Sequence, residues 1–188
     1  MVITTTLNKI RAHNPCEDGW EKLLKGLGKT KADDEPLPFV QILEINGLDD
    51  ALWCLRAEPQ YAKEWRLFAV TCARRVEHLN PDPRVKNATD VAERYANGQA
   101  TDEELTAAWA SARAAAEAAA GESARAAAWA AAEAAAWASA WYAARSAAKD
   151  AAWAARAAGD ASGAGDAERE WQRQEFLRVV TGTEARGE

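Results

Sequence analysis

His13 and Cys16 stand three positions apart, a spacing at which one short segment could offer two ligands to a zinc ion. A structural zinc site needs four ligands, and the chain has no second pair at that spacing. His78 is distant, and Cys54 and Cys72 lie inside apolar runs. The pair therefore reads as a helix-end histidine beside a buried thiol, and the other cysteines as small core residues. Asp33, Asp34 and Glu35 could face a hard cation, but no companion ligands follow at a recognisable interval, so a solvated turn is expected. Glu17, Asp18 and Glu21 read as a solvated helix face. Asp49 and Asp50 could work as paired carboxylates, yet helix capping accounts for them first. Arg74, Arg75 and His78 form a basic helix end that complements the carbonyl end of the macrodipole. No GxSxG, Walker A, GxGxxG or HExxH motif occurs. The expectation is a non-enzymatic chain with no catalytic residues, no metal and no cofactor.

The bulk properties narrow the function classes. A net charge of −6 and a pI near 5.1 argue against direct nucleic-acid binding, which needs a basic footprint. Three widely spaced cysteines form no disulfide framework, and MVITTTLNKIRAHN lacks the apolar run of a signal peptide. In the alanine-rich region the longest uncharged run, Ala134 to Ala144, falls well short of the ~20 apolar residues that span a bilayer. A soluble protein of a reducing, cytoplasmic compartment is expected, with no membrane partner.

These residues must be positioned by helices. A short helix is expected over 4–12, then a better-signalled one over Pro15–Leu27, with Asn14 as N-cap, Pro15 at the first helical position and Glu17 in a capping-box-like spacing. Phe39–Asn46 reads as an apolar helix with a strand as the alternative, and Asp49 or Asp50 can cap the next segment, ALWCLRA. Pro59 opens a helix to Leu79 in which Tyr61, Trp65, Phe68, Cys72, Val76 and Leu79 recur at three- or four-residue steps, a buried stripe. Asp82-Pro83 starts another helix, with Val85, Ala88, Val91, Ala92 and Tyr95 inward and Gly98 after its end. Thr101 and Glu104 form a capping box that launches an alanine segment running to Gly159.

Within that segment nearly every residue favours helix, and Gly121-Glu122-Ser123 is the one break expected, giving an antiparallel pair. Trp109, Trp129, Trp137, Trp141 and Trp153 follow one another at multiples of four positions. Each four-residue step leaves a ring about 40° further round a helix, so the rings wind about it and do not form a coiled-coil seam. Threonine is missing between Thr106 and Thr181, which removes an ice-binding array. What survives is a protein-binding face made of Trp109, Arg113, Arg125, Trp129, Trp137, Trp141, Arg145, Trp153 and Arg156, set against the alternative that the rings fill the core. A flexible link, Gly159–Gly165, a closing helix over Ala167–Val180 and a frayed TGTEARGE tail complete the chain. The architecture expected is all-α: a multi-helix array ending in a long Ala/Trp-rich helix or antiparallel helix pair and a short C-terminal helix. It divides into a helical region 1–100, the alanine segment 101–159 and a docking helix 166–181, in one continuous domain.

The run GLDDALWCLRAEPQYAKEWRLFAVTCARRVEHL, Gly47 to Leu79, resembles immunity proteins of the immunity-five-like group, found in bacterial polymorphic toxin systems and prophages. The resemblance lies in Asp49-Asp50-Ala51-Leu52-Trp53-Cys54-Leu55-Arg56 and in Arg66-Leu67-Phe68-Ala69-Val70 leading to Cys72-Ala73-Arg74. It covers most of the chain and is best between Leu7 and Leu105. It implies an all-helical protein that neutralises a toxin by binding it, and it carries over no catalytic or binding residues. A phage-borne relative could instead block a host defence complex, as an anti-CRISPR protein does. A homo-oligomer joined through the alanine–tryptophan face is the remaining reading.

Overall fold

The computed structural model describes residues 2–136, 139–159 and 163–182. The protein is 77% helical, with ten α-helices and one two-stranded antiparallel sheet among these residues, so the all-α expectation holds. Its contacts divide into two compact units: residues 1–59 with 175–188, and Gln60–Gln174. The change to alanine-rich sequence at residue 101 falls inside the second unit.

In the first unit, two-residue strands β1 (Thr4–Thr5) and β2 (Leu37–Pro38) pair antiparallel. The strand takes residues expected to be helical, so helix α1 covers only Leu7–Arg11; the Thr6 hydroxyl caps it by accepting from the Lys9 amide. Helix α2 (Glu17–Gly26) also starts later than its sequence suggests. Cys16 is the N-cap, without a side-chain cap bond, and Asn14 turns the chain at φ 53°. Cys16 is exposed, not buried. The helix ends in a Schellman motif: Lys29 N–H donates to Leu24 O at 2.9 Å and Gly28 N–H to Lys25 O at 3.1 Å, with Gly28 at φ 66°. Gly26 lies so close to Ile45 that a Cβ there would sit 2.5 Å from Ile45 Cγ2. Helix α3 (Phe39–Asn46) and helix α4 (Leu48–Cys54) meet at Gly47, which takes the N-cap position expected of Asp49 or Asp50; those two acids occupy the first turn instead. A 3-10 turn, Leu55–Ala57, follows. Ile3, Leu7, Ile10, Leu23, Phe39, Ile42, Leu43, Leu52 and Leu55 are buried, together with Phe176 and Val180 from the last helix. Phe39 meets Phe176 edge to face at 6.4 Å, and the Ile3 amide donates to Val180 O at 2.7 Å.

The second unit is built on helix α5 (Ala62–Val76), entered through a 3-10 turn at Pro59–Tyr61 and left through another at Glu77–Leu79. Its expected stripe is inward: Trp65, Phe68, Cys72 and Val76 are buried, and Tyr61 and Leu79 at the two ends are half-buried. Helix α6 (Pro83–Ala96) is capped by Asp82, and helix α7 (Asp102–Ala118) by the Thr101–Glu104 box, both as expected. Helix α8 (Glu122–Ala134) follows a turn at Ala119–Gly121, with Gly121 at its N-cap. A second break, absent from the sequence reading, then separates α8 from helix α9 (Ala140–Ala158). Helix α5 packs on α6, α8 and α9, and α8 also packs on α6, α7 and α9. Seven of the thirteen α8 residues are buried alanines, Ala126–Ala128, Ala130–Ala132 and Ala134, which lets the neighbours approach closely on several sides.

Helix α10 (Ala164–Thr181) is longer than expected and begins inside the glycine-rich link, with Gly165 packed against Arg156. Residues 160–162 of that link and the tail from 183 lie outside the described residues. The α10 residues of this unit hold α9 and α5 by a polar network. Gln172 Nε2 donates to Ala148 O at 2.8 Å and to Glu168 Oε1 at 3.1 Å, while Arg75 Nε donates to Glu168 Oε2 at 3.2 Å and lies over the Trp171 ring at 4.3 Å. No helix among the described residues is long and apolar enough to cross a membrane.

Candidate functional site

Several of the sequence candidates for metal or acid–base chemistry have partners within the fold. Lys29 Nζ donates to Asp33 Oδ2 at 2.6 Å and to Glu35 Oε2 at 2.7 Å, and its ammonium holds the Asp33 carboxyl below its ordinary range. Asp50 Oδ2 accepts from Asn46 Nδ2 at 2.7 Å. Arg74 bridges Asp90 and Glu93. Burial, followed by the Asp50 charge, pushes the Cys54 thiol up to about 12, so it stays protonated at neutral pH. Among the described residues no three His, Cys, Asp or Glu side chains are grouped to hold a metal.

Of the nine residues expected to form a protein-binding face, the eight that are described are spread over three helices. Trp109, on α7, is half-buried, and Arg113 lies 5.7 Å from its ring while donating to Glu117 at 3.1 Å. Arg125 Nη2 donates to Ala119 O at 3.2 Å, closing the end of α7. Trp129 is half-buried on α8 between the buried Ala128 and Ala130. Trp137 lies outside the described residues. Trp141, half-buried, meets Tyr142 edge-on at 5.9 Å.

Of the described candidates, Arg145, Trp153 and Arg156 share one exposed face, and α9 is what brings them there. Its N-cap is Ser139, whose carbonyl accepts from the Tyr142 and Ala143 amides. Its inner face is Ala140, Ala143, Ala144, Ala147, Ala148, Ala151 and Ala154, all buried at the spacing of a helical stripe. The opposite face carries Tyr142, Arg145, Lys149, Trp153 and Arg156, each exposed. At 100° per residue these five span an arc of about 80°, and at 1.5 Å per residue the row is about 21 Å long. Tyr142 is 42% and Trp153 50% exposed, and apart from Val2 they are the exposed large hydrophobic residues among those described. Tyr142 and Lys149 were not among the residues expected from tryptophan and arginine alone; the available signal was their helical spacing, Tyr142 three residues before Arg145, and Lys149 four residues from both Arg145 and Trp153 and seven from Arg156.

A second arrangement escaped the sequence reading altogether. Glu133 on α8 and Asp150 on α9 come close enough for one carboxylate to raise the pKa of the other. Asp150 is pushed up to about 7, first by desolvation and then by the Glu133 charge; desolvation also raises Glu133, whose Oε2 is buried without a hydrogen-bond partner. Because the folded-state pKa of Asp150 is raised, the folded chain keeps a proton that the unfolded chain releases near pH 4. The stabilisation from that proton is complete below pH 4 and is lost as pH rises to about 7. Asp150→Asn is expected to flatten this slope and to raise stability at pH 8 by about 2 kcal/mol, a figure reduced for the partial exposure of the group. Thermal unfolding from pH 4 to 8 checks this; parallel profiles for the wild-type and Asn proteins would show that Asp150 ionises freely in the fold.

The described residues thus define an all-α protein whose most distinctive surface is an aromatic and basic row on a helix with an alanine inner face. No protein-family model, curated protein or solved structure matches the chain.

Proposed function

We propose that this chain is a non-enzymatic inhibitory protein that binds and neutralises a protein target, in the manner of a toxin-immunity protein of the bacterial cytoplasm. The observation that carries the reading is the outer row of α9. Tyrosine, tryptophan and arginine dominate the energetics of protein–protein contacts, and here they are presented exposed on a helix braced on its other side by packing. The resemblance of Gly47–Leu79 to the immunity-five-like group supports the same class of function and supplies the toxin as the first target to test. A phage-encoded antagonist of a host defence complex, such as an anti-CRISPR protein, would use the same physics on a different protein. Self-association through this row would bring six cations and no carboxylate of the row into one contact, which disfavours it.

Affinity capture with the tagged full chain tests the reading, using lysates that contain or lack candidate toxins and CRISPR effector complexes. Stoichiometric recovery of a toxin whose activity falls on binding is the expected result. Recovery of a defence-complex subunit would make the protein a phage antagonist. Recovery of only its own copies would replace the inhibitor reading with a self-assembling helical protein.

A further inference from the structure

We infer that the outer face of α9, Tyr142 to Arg156, docks against a carboxylate-rich surface of a partner protein. The inference rests on the protein-binding reading above and supplies the chemistry of the partner.

Three observations carry it. First, the charge of the row opposes that of the chain. The protein is −6 overall, yet the row holds Arg145, Lys149 and Arg156 and no acid; Asp150, the acid of α9, faces Glu133. Second, these three cations make no ion pair among the described residues, whereas Arg74, Lys86, Arg94 and Arg113 of the same unit each hold a carboxylate. Third, Arg145 and Lys149 are like charges four residues apart on a helix, an arrangement that weakens an isolated helix by about 0.2–0.5 kcal/mol. The macrodipole rewards Arg156 in the last turn of α9 but offers nothing to Arg145 or Lys149, which lie in its first half and at its middle. Arg145 and Lys149 thus add little to folding beyond the attraction of Lys149 for its neighbour Asp150, and an acidic surface would use them.

The aromatic residues set the kind of surface. Tyr142 and Trp153 flank Lys149 and can bury apolar area around a charge contact, which dries it and strengthens it. A nucleic acid fits less well. Affinity for a phosphate backbone grows with the number of cations that neutralise phosphates along it, and this row offers three within about 21 Å.

The test labels the full-length protein with 5-fluorotryptophan and assigns the Trp153 fluorine resonance by its disappearance in Trp153→Phe. The labelled protein is titrated with poly-L-glutamate, with poly-L-lysine and with a single-stranded DNA oligonucleotide at about 50 mM salt, where screening leaves surface charges active. Poly-L-glutamate is expected to shift the Trp153 resonance and poly-L-lysine to leave it in place, with the shift fading at about 500 mM salt. Arg145→Glu/Lys149→Glu/Arg156→Glu, checked for folding by circular dichroism, is expected to weaken the poly-L-glutamate effect at least about tenfold. A wild-type protein indifferent to poly-L-glutamate, or one that binds the DNA more tightly, overturns the inference without reference to any variant. Affinity capture with the triple variant separates the two claims. If it recovers the wild-type's partner undiminished, the carboxylate docking falls and the inhibitor reading stands.

Discussion

Arg66→Ala is expected to destabilise the protein by on the order of 3–5 kcal/mol, a large effect for one side chain on α5. Arg66 is 5% exposed, and its Nη1 donates to Ala134 O and to Ala136 O, both at 3.0 Å. These carbonyls belong to the end of α8 and the break behind it, where the helix has no intrahelical donors left. The guanidinium therefore works as a C-cap delivered from another helix, and its charge complements the negative end of the α8 dipole. It also lies 5.2 Å from the ring of Tyr95, whose hydroxyl donates to Asp102 at 2.8 Å. Alanine would remove two charge-assisted bonds and leave buried carbonyls unsatisfied. Arg66→Lys should recover only part of the loss, because an ammonium lacks the planar fork that serves two acceptors. Guanidinium unfolding of the three proteins measures this. A loss below about 1 kcal/mol for alanine would mean that water satisfies the carbonyls and that the break does not depend on Arg66.

Trp65→Ala should cost a comparable 3–5 kcal/mol by a different mechanism. Trp65 is 1% exposed on the inner stripe of α5, next to the fully buried Phe68 and tilted at 59° to Tyr61 with ring centroids 5.8 Å apart. Helix α5 packs on α8 and α9, whose buried residues are alanines with side chains too short to move in and fill the space of an indole. The expected signature is a lower denaturation midpoint with the slope unchanged. A shift under about 1 kcal/mol would mean that the site collapses around the smaller side chain, against the rigid packing seen here.

What the sequence determined by itself is what neighbours in the chain can decide. The Thr101–Glu104 box, the Asp82 cap and the apolar stripe of α5 depend on residues at most a few turns apart, so their spacing alone reveals them. The capping errors were local too. Asn14 and Asp49 have the right chemistry for an N-cap, but the backbone placed Cys16 and Gly47 there. Other features were decided only by tertiary structure. Nothing in an alanine run signals a stop, so the break after Ala134 could not be read from it; the Arg66 donor that meets its carbonyls stands 68 residues earlier. The candidate surface shares that cause. Alanine favours helix without fixing which side is buried, so the binding row could be phased only once α9 began at Ala140 and laid its alanines against α5 and α8. That packing left Tyr142 and Lys149 outside with Arg145, Trp153 and Arg156, and turned Asp150 toward Glu133. Helix formation is a local free-energy choice, whereas the phase of an alanine helix is set by what it packs against.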